Sequence, residues 1–143
     1  MSSKNSNPTQ TNKPNFIKNF LDWFALKPKL DEQDFRLSFK EREVWYCYFG
    51  TNIGFEIDGK EEFLRPCLIV KKLSKETFYA IPLTSKPKNG SWYYPSFVQN
   101  KHGSYIFSQM KLIDSKRLKY FVERLDENEF VKVKSEFINF FNQ

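Results

Sequence analysis

The chain has a single histidine, His102, and only two cysteines, Cys47 and Cys67, with no C-x-x-C pair. A mechanism that needs two histidines is thereby excluded, and the ligands for a Cys/His zinc site are lacking. Both cysteines fall in apolar runs, at residues 45–49 and 67–70. That placement reads as buried free thiols, with a disulfide between neighbouring strands as the alternative, though no other secretory feature accompanies it. No segment approaches the ~18 consecutive apolar residues of a membrane helix, and the N-terminus carries no apolar signal core. The expectation is a cytoplasmic protein without a membrane partner.

What the chain does have is aromatic. Sixteen Phe, seven Tyr and three Trp in 143 residues make 18% of the sequence, which is incompatible with general disorder. The length supports one domain, or one domain with a tail, and a self-sufficient core. Lys and Arg number 23 against 17 Asp and Glu, for a net charge of +6. Such a balance suits a nucleic-acid partner or an acidic protein partner, and alone does not choose between them.

Residues 1–15, MSSKNSNPTQTNKPN, hold no apolar residue beyond Met1 and read as a disordered tail. Phe16, Ile17, Phe20, Leu21 and Phe24 then share one helical face, and Lys27-Pro28 is expected to end that helix. This face either docks on the following domain or covers part of a dimer interface. Residues 28–40 read as a linker with one helical turn, so the boundaries are a tail at 1–15, a helix and linker at 16–40, and a domain at 41–143.

From residue 42 the pattern is that of strands. Residues 44–49 are apolar on both faces, as in a strand buried on two sides. Further strands are expected at 64–71, 77–83, 92–98 and 104–113, the last two paired across residues 100–103. Asp114 is placed to cap a short helix, and an extended piece follows near 120–125. Asp126, with Glu129 three residues on, opens a terminal helix whose Phe130, Val133, Phe137 and Phe141 form a stripe. The class is mainly β with terminal helices, a small barrel or strongly bent sheet.

Three blocks in order are more specific. The first joins Val44-Trp45, Asn52-Ile53-Gly54-Phe55-Glu56 and Arg65-Pro66-Cys67-Leu68-Ile69-Val70; the second is Ala80-Ile81-Pro82-Leu83-Thr84-Ser85; the third runs from Ser108-Gln109-Met110-Lys111 through Ile113-Asp114 to Arg117-Leu118. Together they resemble the MazF/PemK toxins of bacterial toxin–antitoxin pairs, over about residues 43–125. The chain departs from the family pattern in having Arg42 where a glycine usually opens the first strand, a longer stretch (IDGKEEFL) between Glu56 and Arg65, and an N-terminal extension. The resemblance implies a small SH3-like barrel of the MazF/CcdB type, a homodimer, metal-free and cofactor-free cleavage of single-stranded RNA, and a cognate antitoxin that masks the site with a flexible acidic segment. It maps the catalytic positions to Arg65 and Thr84.

The chemistry is compatible with those residues. Cleavage by the RNA's own 2′-hydroxyl needs an anionic phosphorane stabilised, which an arginine fork suits, and Thr84 adds a hydrogen bond. Glu56 is the candidate general base. RNA contacts are expected from Asn52, Ser85, Lys86, Lys88, Trp92, Gln109 and Lys111, because lysines beside aromatics suit single strands. Trp92 itself reads equally as a core residue. His102, beside Gly103, reads as surface structure. Two alternatives stand beside the nuclease: a CcdB-like gyrase poison acting without catalysis, and an inactive SH3-like module that binds RNA or protein.

Overall fold

The computed structural model describes residues 7–143, with side chains from residue 19 onward. The chain divides into two compact units, one ending at Gln33 and the other comprising Asp34–Gln143. In the first, helix α1 spans Asn7–Asp31. It therefore begins within the segment expected to be a tail, whose residues 1–6 lie outside the described residues, and it does not stop at Lys27-Pro28. Two features explain the extension. Pro8 stands in the first turn, where its missing N–H has no intrahelical partner to lose, and Ala25, Leu26 and Lys27 are strong helix formers that carry the helix into Pro28 at the cost of one bond. No helix among the described residues is long and apolar enough to cross a membrane.

The second unit is a seven-stranded antiparallel sheet: β1 (Glu43–Tyr48), β2 (Leu64–Lys72), β3 (Thr77–Thr84), β4 (Tyr93–Val98), β5 (Lys101–Ile106), β6 (Lys111–Asp114) and β7 (Leu118–Arg124), closed off by helix α2 (Glu127–Phe141). The strands run β4-β5-β3-β2-β1-β7. Strand β3 serves two partners along one edge, since Leu83 and Thr84 pair with β5 while residues 77–80 pair with β6. The expected single strand at 104–113 is thus two strands, broken by a 3-10 turn at Phe107–Gln109. The β4–β5 hairpin turns at Gln99 and Asn100, both at positive φ (54° and 58°), rather than across residues 100–103. Two positive φ values in a two-residue loop match the right-handed strand twist.

The barrel expected from the resemblance receives one correction: the sheet does not close. Closure would need a hydrogen-bond ladder between the end strands β4 and β7. Among the described residues no such ladder forms; the Gln99 N–H, in the turn after β4, donates to Glu123 Oε1 of β7 at 2.9 Å.

The central strands are buried on both faces, which is why they read as unbroken apolar runs. Trp45, Cys47, Cys67, Ile69, Phe78 and Ile113 fill one core. Val44, Leu68, Ile81, Tyr105, Phe107 and Val133 fill the other, beneath α2. Asp126 caps α2 by accepting the Asn128 N–H at 3.0 Å. The helix packs through Phe130, Val133, Phe137 and Phe140, whereas Phe141, placed on the stripe by its spacing, is 75% exposed. The seam, spaced 3, 4 and 3 residues, is as wide as the one expected but turned toward Phe140, because that side of the last turn meets the sheet.

The cysteines are free, fully buried and side by side, with their Sγ atoms 2.8 Å apart. Burial, then the contact with Cys67, pushes the Cys47 thiol well up, so it is held neutral.

Residues 34–40 belong to this unit rather than to a linker. Phe39, 2% exposed, packs on Phe78 with ring centroids 4.8 Å apart. Arg36 Nη1 donates to Asp114 Oδ1 at 2.6 Å and to Ser115 Oγ at 2.9 Å. Asp114 also caps the Ser115–Arg117 turn through the Lys116 N–H, as its position predicted. Partial burial pushes the Asp114 carboxyl up, but the Lys116 N–H and the Arg36 guanidinium outweigh it and hold the folded pKa below the ordinary value. A depressed carboxylate contributes stability that is complete above its unfolded pKa of about 3.9 and is lost as pH falls through the folded value. Asp114→Asn is therefore expected to lower the thermal midpoint at neutral pH, by less than about 1 kcal/mol of stability since the pair is partly exposed. The deficit should shrink as the pH is taken down to about 3, and an equal deficit in paired melts at both pH values would overturn the account.

Candidate functional site

Strands β2 and β3 pair with Cys67 opposite Pro82 and Leu68 opposite Ile81. Carrying that register two residues further sets Arg65 opposite Thr84, and opposed residues of an antiparallel pair project from the same face. Two residues 19 apart in the chain thereby become neighbours. Both are buried, at 7% and 8% exposure.

The arginine is held by main-chain carbonyls. Its Nε donates to Asp58 O at 2.6 Å and its Nη1 to Leu83 O at 3.1 Å. Arg65 lines the wall between two clefts, one shared with Thr84 and the other with Glu61 and Glu62. Burial pulls the guanidinium pKa down and Asp58 pulls it back up, and an arginine stays charged at neutral pH through shifts of this kind. Thr84 Oγ1 accepts the Lys86 N–H at 3.4 Å, leaving the hydroxyl proton available.

Arg65 and Thr84 open onto a cleft of about 610 Å³ that Lys86, Lys88, Trp92 and Gln109 also line. Trp92 is 58% exposed, so its ring belongs to the cleft and not to the core. Every charged residue lining the cleft is cationic, because the fourth after Arg65, Lys86 and Lys88 is Lys60. Lys60 was not anticipated from the sequence, where its neighbours Glu61 and Glu62 make the segment look acidic. Phe55, fully exposed, adds a second aromatic to the rim. The β3–β4 loop that carries the lysines is pinned by Ser104, which accepts the Lys88 N–H at 2.9 Å and donates to Lys86 O at 3.1 Å.

Other residues singled out in the sequence stand elsewhere. The Glu56 carboxylate accepts the Ile53 N–H at 3.1 Å in an exposed turn and does not line the cleft. Asn52 is a loop staple, donating to Phe49 O at 3.0 Å and to Ile57 O at 2.8 Å. Ser85 lines a neighbouring cleft with Pro66 and Tyr46. The Lys111 ammonium lies over the Phe49 ring at 5.6 Å, outside the cleft. His102 packs on Phe97, centroids 4.8 Å apart, and is also outside it. Glu61 and Glu62 flank Arg65 on its other side, in the cleft that holds Ser85. A composition reading gave no signal for them, since their placement depends on a reversal at Glu62 and Phe63, both at positive φ.

None of the curated protein sequences is similar enough to this chain to count as a relative. Solved structures resemble it in fold. A MazF from Deinococcus radiodurans matches with a TM-score of 0.57 at 17% identity, over 77% of this chain and all of that one. An endoribonuclease in complex with its cognate antitoxin, from a mycobacterial species, matches with a TM-score of 0.55 at 12% identity, over 73% of this chain and 96% of that one. The Mycobacterium tuberculosis toxin MazF-mt6 gives 0.54 at 13% identity, over 71% and 97%. At these identities the likeness establishes the fold alone. The sequence itself carries the rest of the argument: residues 40–141, which include the Arg65–Thr84 pair and the cleft around it, match the model of one family. The chain belongs to the PemK-like, MazF-like toxins of type II toxin–antitoxin systems.

Proposed function

We propose that the protein is a toxin endoribonuclease that cuts single-stranded RNA without a metal ion. The observation that carries this reading is the Arg65–Thr84 pair on the wall of a cleft whose charged residues are all cationic and whose rim bears exposed Trp92 and Phe55. Phosphates follow the lysines and unstacked bases lie against the aromatics. In the reaction the RNA 2′-oxygen loses its proton and attacks the adjacent phosphorus. The bond from phosphorus to the 5′-oxygen breaks, and that oxygen takes up a proton, leaving a 2′,3′-cyclic phosphate and a 5′-hydroxyl end.

The Arg65 guanidinium and the Thr84 hydroxyl donate to the non-bridging oxygens as negative charge builds on them. A charge-assisted donor fixed in place before reaction stabilises the phosphorane more than the ground state, and that difference is the catalysis. Glu56, tied to Ile53 outside the cleft, takes no part in this proposal. A cognate antitoxin with an acidic segment is the proposed inhibitor, since two structures of this fold are toxin–antitoxin complexes and the cleft is complementary in charge. A homodimer acting in the cytoplasm completes the proposal.

The test is incubation of the purified protein with a long single-stranded RNA in EDTA, followed by mapping of the ends. Discrete cuts bearing cyclic phosphates are expected. A folded protein that leaves several unrelated RNAs intact would sink the nuclease, and cutting that EDTA abolishes would sink its metal independence.

A further inference from the structure

We infer that Gln109 is a positioning residue that clamps the β1–β2 loop over Arg65, and is not an RNA ligand; the inference rests on the nuclease reading only for its kinetic consequence. Its carboxamide pairs with one stretch of loop backbone from both ends. The Ile57 N–H donates to Oε1 at 3.2 Å, and Nε2 donates to Phe55 O at 2.9 Å. An amide that satisfies a donor and an acceptor two residues apart imitates a strand pairing, and it spends the polar groups that would otherwise meet RNA.

Further hydrogen bonds run within the loop and to its own stems, while the Phe49 ring also lies under the Lys111 ammonium. Phe49 and Gly50 donate to Phe63 O, Gly59 donates to Gly50 O, and Asn52 holds the Phe49 and Ile57 carbonyls. The clamped stretch leads directly into Asp58, whose carbonyl accepts Arg65 Nε at 2.6 Å. The orientation of the guanidinium therefore depends on where Asp58 O is held, and Gln109 is the residue from beyond β2 that holds its neighbours.

The clamp is itself anchored. Gln109 ends the 3-10 turn begun by Phe107, a 3%-exposed side chain that packs against Tyr94, Phe137 and Phe140. The Phe107 N–H also donates to Trp92 O at 2.7 Å. One short turn thus braces both walls of the cleft, the Trp92 side through its first residue and the Arg65 side through its last. A catalytic group is placed well when the residues supporting it are locked by packing of their own.

Gln109→Ala and Gln109→Glu test this in the full chain, by amide exchange at Ile57 and by steady-state cleavage of a single-stranded RNA. Gln109→Ala is expected to speed Ile57 exchange about tenfold or more and to lower kcat by a similar factor, with KM changed less than about threefold. Gln109→Glu keeps an Oε acceptor for the Ile57 N–H but sets its other oxygen against Phe55 O, so Ile57 protection should be restored only in part. A raised KM at unchanged kcat would make Gln109 a direct RNA ligand and overturn the clamp, as would Ile57 exchange that Gln109→Ala leaves unaltered. If the wild-type protein cuts no RNA, the nuclease reading fails by itself, and Ile57 exchange in the two variants still decides the clamp.

Discussion

Arg65→Ala is expected to reduce RNA cleavage by at least about a thousandfold, nearly all of it in kcat, because one well-placed donor at a developing oxyanion is worth about 3–4 kcal/mol and the lost group also carries the charge. Binding should weaken only a few-fold, since Lys60, Lys86 and Lys88 still line the cleft. The variant should remain folded but less stable. Leu83 O loses a donor in a buried setting, at a cost of about 1–3 kcal/mol, and Asp58 O loses one in a partly buried setting, at less. Arg65→Lys separates charge from geometry. A lysine keeps a positive charge but cannot reach two carbonyls and the substrate phosphate together, so about a hundredfold loss is expected to persist. Single-turnover cleavage and oligonucleotide binding, measured on all three proteins with a thermal melt for each, check the argument. Arg65→Ala with a folded core and cleavage within tenfold of wild type would remove Arg65 from the chemistry.

Gly103→Ala should be the most disruptive methyl addition in the sheet. A Cβ there would meet the Thr84 carbonyl oxygen at 2.3 Å and Ser96 Oγ at 3.2 Å. The nearer atom is backbone, and Thr84 is itself paired to Ser104 of β5. Either β5 must lift from β3 or the end of β3 must retreat. Overpacking of this kind costs about 1–3 kcal/mol, and a rigid backbone neighbour puts it at the upper end. For a unit of this size that corresponds to a midpoint lowered by roughly 10 °C. Cleavage should fall as well, because the displaced carbonyl belongs to the residue whose hydroxyl lies in the cleft. Gly54→Ala is the contrast: its Cβ would meet nothing within 4 Å, so the cost is confined to its φ of +56°. That penalty is about 1 kcal/mol. Thermal melts and cleavage rates of both variants test the pair, and a Gly103→Ala protein that melts with wild type would refute the close approach.

Much of the sheet was legible beforehand for a simple reason. Residues 44–49 are apolar on both faces, as a strand covered on two sides must be, and 64–71 and 77–83 carry the apolar runs of strands. The Asp114 and Asp126 caps were equally local, since each accepts an N–H two residues on. Arg65 and Thr84 were singled out by ordered resemblance, and the β2–β3 register gives that spacing a geometric meaning.

Other positions share a different property. The surroundings of Trp92, Phe141, Lys60, Glu56 and Gln109 depend on what lies across from them. Phe140 and Phe141 are one residue apart, and the seam chosen by the sheet beneath α2 decides which is covered. The β1–β2 loop meets Gln109 from 52 residues away, through the Ile57 N–H. The sheet's failure to close belongs here too, because it turns on whether β4 and β7 meet. Hydrophobic period and capping are properties of neighbours in the chain, so the sequence by itself determined the central strands, their order of appearance and the terminal helix. Exposure, side-chain partnership and the joining of distant strands depend on contacts between residues tens of positions apart, and those only the tertiary structure decided.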